Sequence, residues 1–426
     1  MNEGHTVFAQ VCAHAPTSSF RRCVTRYAAE RYVKSFSCWD QFLCMVFAQF
    51  THRESLRDIE ACLRSLSGRL YQLGVRGKIS RSTLADANER RDWRTYADFA
   101  QVLIGIARRL HRDETLAVDL AETVYAFDST TIDLCLALFP WAPFQKGKAA
   151  IKLHTLLDLR GSIPTVIHVT HGRIGDVSML PALAAEPNSF YIFDRAYMDF
   201  EQLYRFHQGH AFFVVRAWRN LQFRRRYSRA TDRRTGVQSD QTILLTGKKT
   251  ARRYPDPLRR IHYRDPERAY DLVFLTNNFE LPALTVAALY KSRWQVELFF
   301  RWIKQHLRIR RFFGVSENAV KTQVWTAVSA YVLAAIAKKR LGLETVSLYT
   351  FLQVVGVTVF EKTPILQVFG EAASRPADSA PANHLSLFDL LPDSRGRHPE
   401  NTACPFGKVL CFLFPSLPDP AGKEHD

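Results

Sequence analysis

Two aspartates each follow a short apolar run that is typical of a buried β-strand. Asp128 comes directly after residues 124–127, and Asp194 comes directly after residues 190–193. A single aspartate in such a position is usually a turn residue or a helix cap. Two of them at the ends of neighbouring central strands would bring two carboxylates together, and adjacent carboxylates repel each other unless a cation compensates them. The pair therefore indicates a metal-binding edge of a sheet.

A third acidic residue, Glu297, lies in a segment that we predict as one helix from about residue 285 to residue 311. At about 100° per residue, five polar side chains share one face of this helix: Tyr290, Arg293, Glu297, Arg301 and Lys304. A charged helix face is usually just a solvated surface. This face, however, also carries a tyrosine and abuts Trp294, and a merely solvating face does not need these aromatics.

Three further aspartates lie near the first two. Asp133 follows Asp128 by five residues and competes with it for the same role. Asp176 and Asp199 both precede segments with helical patterning, so we interpret them as residues that start helices.

The charge of the chain indicates a polyanionic partner. The formal net charge is +17, with 58 Lys and Arg residues, and arginine matches the geometry of phosphate oxygens. Nucleic acid is the natural partner; anionic lipid is the competing one, but no amphipathic anchor helix stands out. The longest uncharged apolar stretch, residues 322–337, is short for a membrane span. Residues 216–268 carry 16 Lys or Arg against five Asp or Glu, interleaved with aromatics, which favours a folded basic β-insertion that contacts phosphates over a disordered basic loop.

The elements that would position these residues begin with a mainly helical segment, residues 1–112. Within it, Ser80 or Ser82 can cap a short helix. The arginines in and just after that helix either lie in a groove of DNA or form a solvated face, and the sequence leaves both interpretations open: Arg81, Arg90, Arg91 and Arg94.

From residue 123 to residue 217 the pattern changes to short β-rich runs. The predicted order is three strands, helix, strand, helix, strand, which is the order of an RNase H-like α/β domain. The predicted strands are 124–127, 151–159, 165–170, 190–193 and 211–215, and the two helices between the later strands are 177–185 and 200–207. We expect a helical N-terminal DNA-binding domain at 1–112, an α/β domain at 113–340 with a basic β-rich insertion at 216–283, a helical region at 341–370, and a mostly disordered tail at 371–426.

The helix pattern Y-x2-R-x3-E-x6-K, formed by Tyr290, Arg293, Glu297 and Lys304, resembles the signature of DDE transposases of bacterial insertion sequences in all four residues and all three spacings. The runs F-D-S-T around Asp128 and F-D-R-A-Y around Asp194 are similar to the first and second aspartate motifs of that family, in the same order. The gap of 103 residues before Glu297 accommodates a β-rich insertion. The resemblance covers roughly residues 20–390, and the tail beyond about Leu390 departs from the family pattern.

The resemblance implies phosphodiester chemistry with two Mg²⁺ ions, which Mn²⁺ can replace, because hard oxygen ligands suit these cations. Asp128 would share both ions, Asp194 would hold one and Glu297 the other. Tyr290, Arg293 and Lys304 would grip phosphates near the cut, and we add Arg301 from the same face. Trp218 either stacks on a base flipped out of the DNA end or is a core tryptophan.

The predicted function is that of an insertion-sequence transposase that binds terminal inverted repeats, cleaves the element ends and joins the 3′-hydroxyls to target DNA. We expect a homodimer in the synaptic complex, no membrane association, and a cytoplasmic, nucleoid-associated location in a bacterium. The alternatives are a hydrolytic nuclease of the same fold and a catalytically inactive DNA-binding repressor. In the tail, residues 384–388 also resemble peptides that dock on the replicative sliding clamp.

Overall fold

The computed structural model describes residues 4–76, 79–114, 116, 118, 120–265, 270–307 and 312–373. The expectations for the tail beyond residue 373, including the clamp-like run at 384–388, lie outside the described residues. Residues 371–373, predicted to belong to the disordered tail, are helical. Thirteen α-helices and nine strands are defined within them. The helices are α1 Val7–Cys12, α2 Thr17–Arg26, α3 Cys38–Phe50, α4 Leu56–Ser65, α5 Arg81–Arg90, α6 Arg94–Leu110, α7 Phe200–Gln208, α8 Lys248–Arg253, α9 Ala283–Ser292, α10 Trp294–Leu307, α11 Glu317–Arg340, α12 Leu348–Thr358 and α13 Ile365–Ala373.

The strands form one continuous sheet in the order β3-β2-β1-β4-β5-β9-β8-β7-β6. Strands β1 to β3 form antiparallel pairs, β1, β4 and β5 run parallel, and β5 to β9 are joined by antiparallel pairs. This arrangement confirms the RNase H-like class. The strands are β1 Val124–Leu134, β2 Ala149–Asp158, β3 Ile163–His171, β4 Phe190–Phe193, β5 Phe212–Arg216, β6 Phe223–Arg229, β7 Val237–Leu245, β8 Leu258–Asp265 and β9 Tyr270–Thr276.

The basic insertion continues the sheet of the α/β core. Its last strand, β9, pairs with β5 through Val214 opposite Thr276, and β8, β7 and β6 add outward from there. Strand β6 is the outer edge, and five of its seven residues are exposed. Positive charge on an exposed edge also discourages pairing with another sheet. The insertion is thus folded and β-rich, as the sequence indicates.

The two faces of the sheet are covered by different layers. One face shares a hydrophobic core with helices α1 to α6 and α9 to α13. The other face packs on α7 and on the turns around Leu180 and Tyr197. Alternation of side chains along each strand sends neighbouring residues to opposite faces. Consequently, residues next to each other in β1 belong to two different environments.

Helix α11 is the central helix of the larger core. It packs against α3, α5, α6, α10 and α12. It is long and apolar enough to cross a membrane by length and composition, but 94% of its most apolar window is buried inside the protein. A core helix of this size satisfies the same pattern, so the uncharged stretch at 322–337 is explained by burial.

The helix that carries the N-terminal arginines is α5. Ser80 caps it, accepting a hydrogen bond from the backbone N–H of Thr83. Arg91 is buried and donates to the carbonyl of Ser37 at 2.8 Å and to the side chain of Gln41 at 3.0 Å. Neither open interpretation of this arginine was right, because it ties α5 to α3 instead of facing DNA or solvent.

Candidate active site

Asp128 and Asp194 leave two neighbouring parallel strands at the same level. Phe127 lies opposite Phe193 in the β1–β4 pair, so the next residue on each strand is one of these aspartates. The prediction that β1 ends at Asp128 was wrong, since the strand continues to Leu134. Pairing with β2 holds the extension, with Asp128 opposite Thr155. On the β4 side the pairing stops at Phe193, and the aspartates lie where it stops.

The predicted single helix from 285 to 311 is in fact two helices with a break at Arg293, and residues 308–311 lie outside the description. The backbone N–H of Arg293 bonds to the carbonyl of Tyr290, and that of Val296 bonds to the carbonyl of Arg293. Both are i→i+3 bonds, which tighten the chain locally. The break brings Arg293 to the junction, while Glu297 lies in the first turn of α10.

Arg293 and Tyr290 connect all three acidic side chains. One Nη of Arg293 donates to Oδ2 of Asp128 at 2.5 Å, and the other donates to Oε1 of Glu297 at 2.7 Å. The Tyr290 hydroxyl donates to Oδ1 of Asp194 at 3.0 Å. The guanidinium also lies 5.8 Å from the centre of the Tyr290 ring. The structure therefore groups the three acids with two residues of the helix signature.

The electrostatics of this group are those of negative charges that lie close together and are partly buried. Burial raises the pKa of the Asp128 carboxyl to about 6; Arg293 opposes the shift, while Asp194 and Glu297 add to it. Burial disfavours the charged form of Arg293, but Asp128, Tyr290 and Glu297 raise its pKa above the usual value. Burial and then Asp194 also raise the pKa of Tyr290. The tyrosine is thus protonated and able to donate.

The donor chemistry of the group suits a hard divalent cation. Mg²⁺ prefers carboxylate oxygens together with water and substrate phosphate, and Asp128, Asp194 and Glu297 supply such oxygens at one sheet edge. Among the described residues, no three acidic, histidine or cysteine side chains converge closely enough to enclose an ion as they stand. Arg293 spans two of the acids here, so coordination of a cation by both would require the guanidinium to release at least one of its bonds.

The remaining predicted residues of the helix lie further along α10. Arg301 stacks on Trp294 with its guanidinium 5.3 Å from the ring centre. Lys304 is half-buried. Burial lowers the pKa of its ammonium group, and Asp133 opposes this shift only in part. At 1.5 Å per residue, Lys304 lies about 10 Å along the helix from Glu297. It extends the positive face toward the outer end of β1.

Trp218 follows β5 at the same sheet edge as Asp128 and Asp194. It is 41% exposed, and its ring meets Phe200 edge-on at 6.2 Å. The interpretation of Trp218 as a core tryptophan was therefore wrong. An exposed ring at this edge is accessible to a ligand.

The competing aspartates Asp133 and Asp199 have surroundings that differ from those of Asp128 and Asp194. Asp133 is exposed at the outer end of β1, five residues from Asp128. Asp199 caps α7, as predicted, by accepting hydrogen bonds from the backbone N–H groups of Glu201 and Gln202.

Asp176 was interpreted only as a helix start. It does begin a 3-10 helix, Asp176–Ala182, in the region where an α-helix was expected at 177–185. Its side chain does not cap that helix but accepts a hydrogen bond from the Ser129 hydroxyl. A usable signal was present in β2, where Lys152 and His154 alternate with apolar residues and thus share one face.

Comparisons with known proteins identify the family of the chain. Residues 119–333 match the family model described as the transposase DDE domain. Residues 3–76 match a second model, a domain of unknown function (DUF4372). A protein named as a transposase in Sinorhizobium fredii is 33% identical over 302 residues, covering 70% of this chain and 82% of that protein.

Two more relatives carry the same kind of name. One, named as a transposase for insertion sequence element IS5377 of Geobacillus stearothermophilus, is 32% identical over 56% of this chain and 63% of its own length. Another, named for element IS4SA of Synechocystis, is 22% identical over 72% of this chain and 82% of its own length. The cryo-EM structure of the piggyBac transposase synaptic complex with hairpin DNA is similar at 10% identity and a TM-score of 0.44, covering 88% of this chain and 83% of that one.

The family model spans half of the chain, including all three acids and the whole helix signature from Tyr290 to Lys304, and the Sinorhizobium relative extends the likeness beyond it. The chain belongs to the DDE transposases of insertion sequences, enzymes that act on DNA with divalent metal ions.

Proposed function

We propose that this transposase binds the terminal inverted repeats of its element, cleaves the DNA at the element ends and joins the 3′-hydroxyls to target DNA. The observation that supports this most is the bridge from Asp128 through Arg293 to Glu297. It places a phosphate-binding type of side chain in direct contact with two acids of the metal-binding type. Cleavage and joining need both, since the scissile phosphate must be held where the cations act.

The cofactor we propose is a pair of Mg²⁺ ions, which Mn²⁺ can replace. Asp128 would share both, Asp194 would hold one, and Glu297 the other. When bound, such a pair activates the attacking oxygen and stabilises the leaving oxygen of the phosphodiester. The raised pKa of Asp128 supports this assignment, because a buried carboxylate flanked by two further acids is stabilised by added positive charge.

The signature residues would position the DNA. Arg293 can exchange one of its carboxylate bonds for a phosphate oxygen, since its planar fork fits either group. Tyr290 orients Asp194 through its hydroxyl. Arg301 and Lys304 continue the positive face along α10, where they would contact phosphates further from the cut. Trp218, exposed at the same edge, would stack on a base extruded from the duplex end.

The insertion would bind the same duplex away from the cut. The β6–β7 turn carries the exposed residues Arg233 and Arg234, and Asp232 caps it by accepting a hydrogen bond from the Arg234 backbone N–H. The alternating strand directions put this turn on the sheet edge that also carries Asp128 and Asp194. Five strand spacings of about 4.8 Å separate β6 from β4, about 24 Å along the sheet. At about 3.4 Å per base pair, that corresponds to roughly seven base pairs.

Two element ends must be held together for coupled joining, and we propose that two copies of the chain do so as a homodimer. The test is incubation of the full chain with a duplex bearing the terminal repeat, Mg²⁺ and target DNA, followed by mapping of cut and joined strands. Cleavage at the repeat boundary and 3′-end joining are expected. Cutting without any joined product would favour the nuclease alternative, and binding without cutting would favour the repressor. Mass measurement of the protein–DNA complex tests the dimer.

A further inference from the structure

A polar cluster lies directly behind the candidate active site, on the opposite face of the sheet. Asp176 accepts hydrogen bonds at its Oδ1 from the Ser129 hydroxyl at 2.7 Å and from the Lys152 ammonium at 3.1 Å. Lys152 also donates to the carbonyl of Ile174 at 3.1 Å. Nδ1 of His154 lies 3.9 Å from the same Asp176 oxygen. We refer to Ser129, Lys152, His154 and Asp176 as the rear cluster.

The rear cluster stands where β1 loses its neighbour. Up to Phe127 the strand is paired on both sides, but from Asp128 onward only β2 pairs with it. The segment that begins at Asp176 contacts this part of β1 from one face of the sheet, through the Ser129 hydroxyl. The cluster therefore fixes the part of β1 that carries the first acid of the site.

Stability alone is a weak explanation of this arrangement. The Lys152 side chain is only 12% exposed and that of Asp176 only 31%, and a largely buried ion pair is often no more stabilising than apolar side chains of the same volume. His154 is fully buried and is held by Thr170 at 3.0 Å through its Nε2. A cost in desolvation at this position suggests that the placement of the charges has a use.

Ser129 connects the rear cluster to the site. Its backbone N–H donates to Oδ1 of Asp128 at 2.8 Å, while its hydroxyl is held by Asp176 on the other face. A shift of the Ser129 backbone, which the bond from its hydroxyl to Asp176 opposes, would move the N–H that orients the Asp128 carboxylate. Oδ2 of Asp128 is held separately by Arg293, so the two oxygens have distinct supports.

We propose that Asp176, anchored by Lys152, is a positioning residue that holds Ser129 and thereby orients the Asp128 carboxylate for its divalent cation. The inference rests on the proposed function in one respect, the role of Asp128 as a metal ligand. Asp176 itself is not a ligand, because its oxygen faces the other side of the sheet and is occupied by an ammonium group. Outer partners of metal ligands typically contribute 10- to 100-fold in metal affinity.

The test measures Mn²⁺ affinity of the full chain without DNA, by the loss of the free Mn²⁺ signal in electron paramagnetic resonance. Ser129→Ala and Asp176→Asn are expected to weaken binding about 10- to 100-fold. Ser129→Thr, which keeps the hydroxyl, should stay close to wild type. Asp199→Asn is the matched control, because asparagine caps a helix as well as aspartate does. The same variants should recover end cleavage when the metal concentration is raised.

Melting temperatures separate positioning from folding. If Asp176→Asn unfolds because Lys152 is left unpaired, the double variant Asp176→Asn/Lys152→Met removes the charge and should fold while still binding Mn²⁺ weakly. Lower melting temperatures with unchanged Mn²⁺ affinity in Ser129→Ala and the double variant would overturn the inference. Asp128→Asn distinguishes a failure of this inference from a failure of the proposed function. Unchanged Mn²⁺ binding in Asp128→Asn would show that Asp128 is not a metal ligand. A loss of Mn²⁺ binding in Asp128→Asn alone, with normal binding in the Ser129 and Asp176 variants, would exclude only the role of Asp176.

Discussion

Phe127 lies opposite Phe193 in a parallel strand pair, and each is followed by an aspartate. Asp128 and Asp194 therefore emerge side by side where β4 ends, with Glu297 brought to them through Arg293. We expect Asp128→Asn, Asp194→Asn and Glu297→Gln each to lower end cleavage by more than about 100-fold, because each would remove a charged ligand of the proposed cations rather than an outer partner. DNA-end binding measured without metal should remain. Cleavage at wild-type rate in any of the three would remove that residue from the site.

Replacing Arg293 should show how much of the cleavage rate depends on its guanidinium group. Arg293→Ala would remove the proposed phosphate donor, so cleavage should fall about 100-fold and become more sensitive to salt. Lysine should restore the activity only in part, since it cannot donate with two coplanar groups. Cleavage by Arg293→Ala that equals the wild type at both low and elevated salt would exclude the phosphate-binding role.

The pH dependence of metal binding should reflect Asp128. Its pKa is raised to about 6 mainly by burial, so the protonated form, which cannot bind a cation well, predominates below that pH. Mn²⁺ affinity should thus fall as the pH decreases through about 6 and level off above it. Arg293 lowers this pKa, so in Arg293→Ala the midpoint should move upward. A midpoint near 4 in the wild type would contradict the burial of this carboxyl.

From the basic β6–β7 turn of the insertion, we predict that its contribution to DNA affinity depends on the length of the duplex. Arg233→Gln/Arg234→Gln should weaken binding to a terminal-repeat duplex of about 15 base pairs, and the slope of log affinity against log salt should decrease by about 2. A duplex of about five base pairs ends before the turn and serves as the matched control. Equal weakening for both lengths would place the turn elsewhere on the DNA.

Much of the candidate site can be predicted from the sequence, because the features concerned depend on residues that are close together in the chain. Strand β4 has the predicted bounds, since four apolar residues are followed directly by Asp194. The spacing of Arg293 and Glu297 is that of helix neighbours, and their side chains are in contact. The order of strands and helices along the chain from residue 123 to residue 217 follows from the alternation of β-rich and helical runs. Each of these features needs only residues close together in the chain.

The features that were missed depend on distant partners. Residues 129–133 lie outside the predicted strand 124–127, yet β2 pairs with them and extends β1. The sequence left Trp218 open between base stacking and a core position, because tryptophan is usually well buried; β5 ends just before it at the exposed edge. The bond from Ser129 to Asp176 joins residues 47 positions apart. No local pattern specifies such a pairing, because it exists only when the sheet has formed.

The insertion contains a buried ion pair whose removal should be measurable. Asp240 on β7 accepts hydrogen bonds from Nε and Nη2 of Arg259 on β8 at 2.9 and 2.7 Å, and both side chains are almost fully buried. Asp240→Ala leaves a buried guanidinium without its carboxylate and should lower the free energy of unfolding by about 3–5 kcal/mol. Asp271→Ala on β9 is the matched control, since its carboxylate is largely exposed beside His262, and a change below about 1 kcal/mol is expected.

Chemical denaturation followed by circular dichroism measures the free energy of unfolding of Asp240→Ala and of Asp271→Ala. The double variant Asp240→Ala/Arg259→Met removes both charges and should recover part of the loss, because an apolar pair avoids the cost of one unpaired charge. Because β7 carries one end of the β6–β7 turn and is held by its pairing with β8, Asp240→Ala should also weaken binding to the 15-base-pair duplex more than to the five-base-pair one. Equal stability of Asp240→Ala and Asp271→Ala would mean that the Arg259 guanidinium finds other partners, and the carbonyls of Asn278 and Leu281, which it already contacts, are the nearest ones.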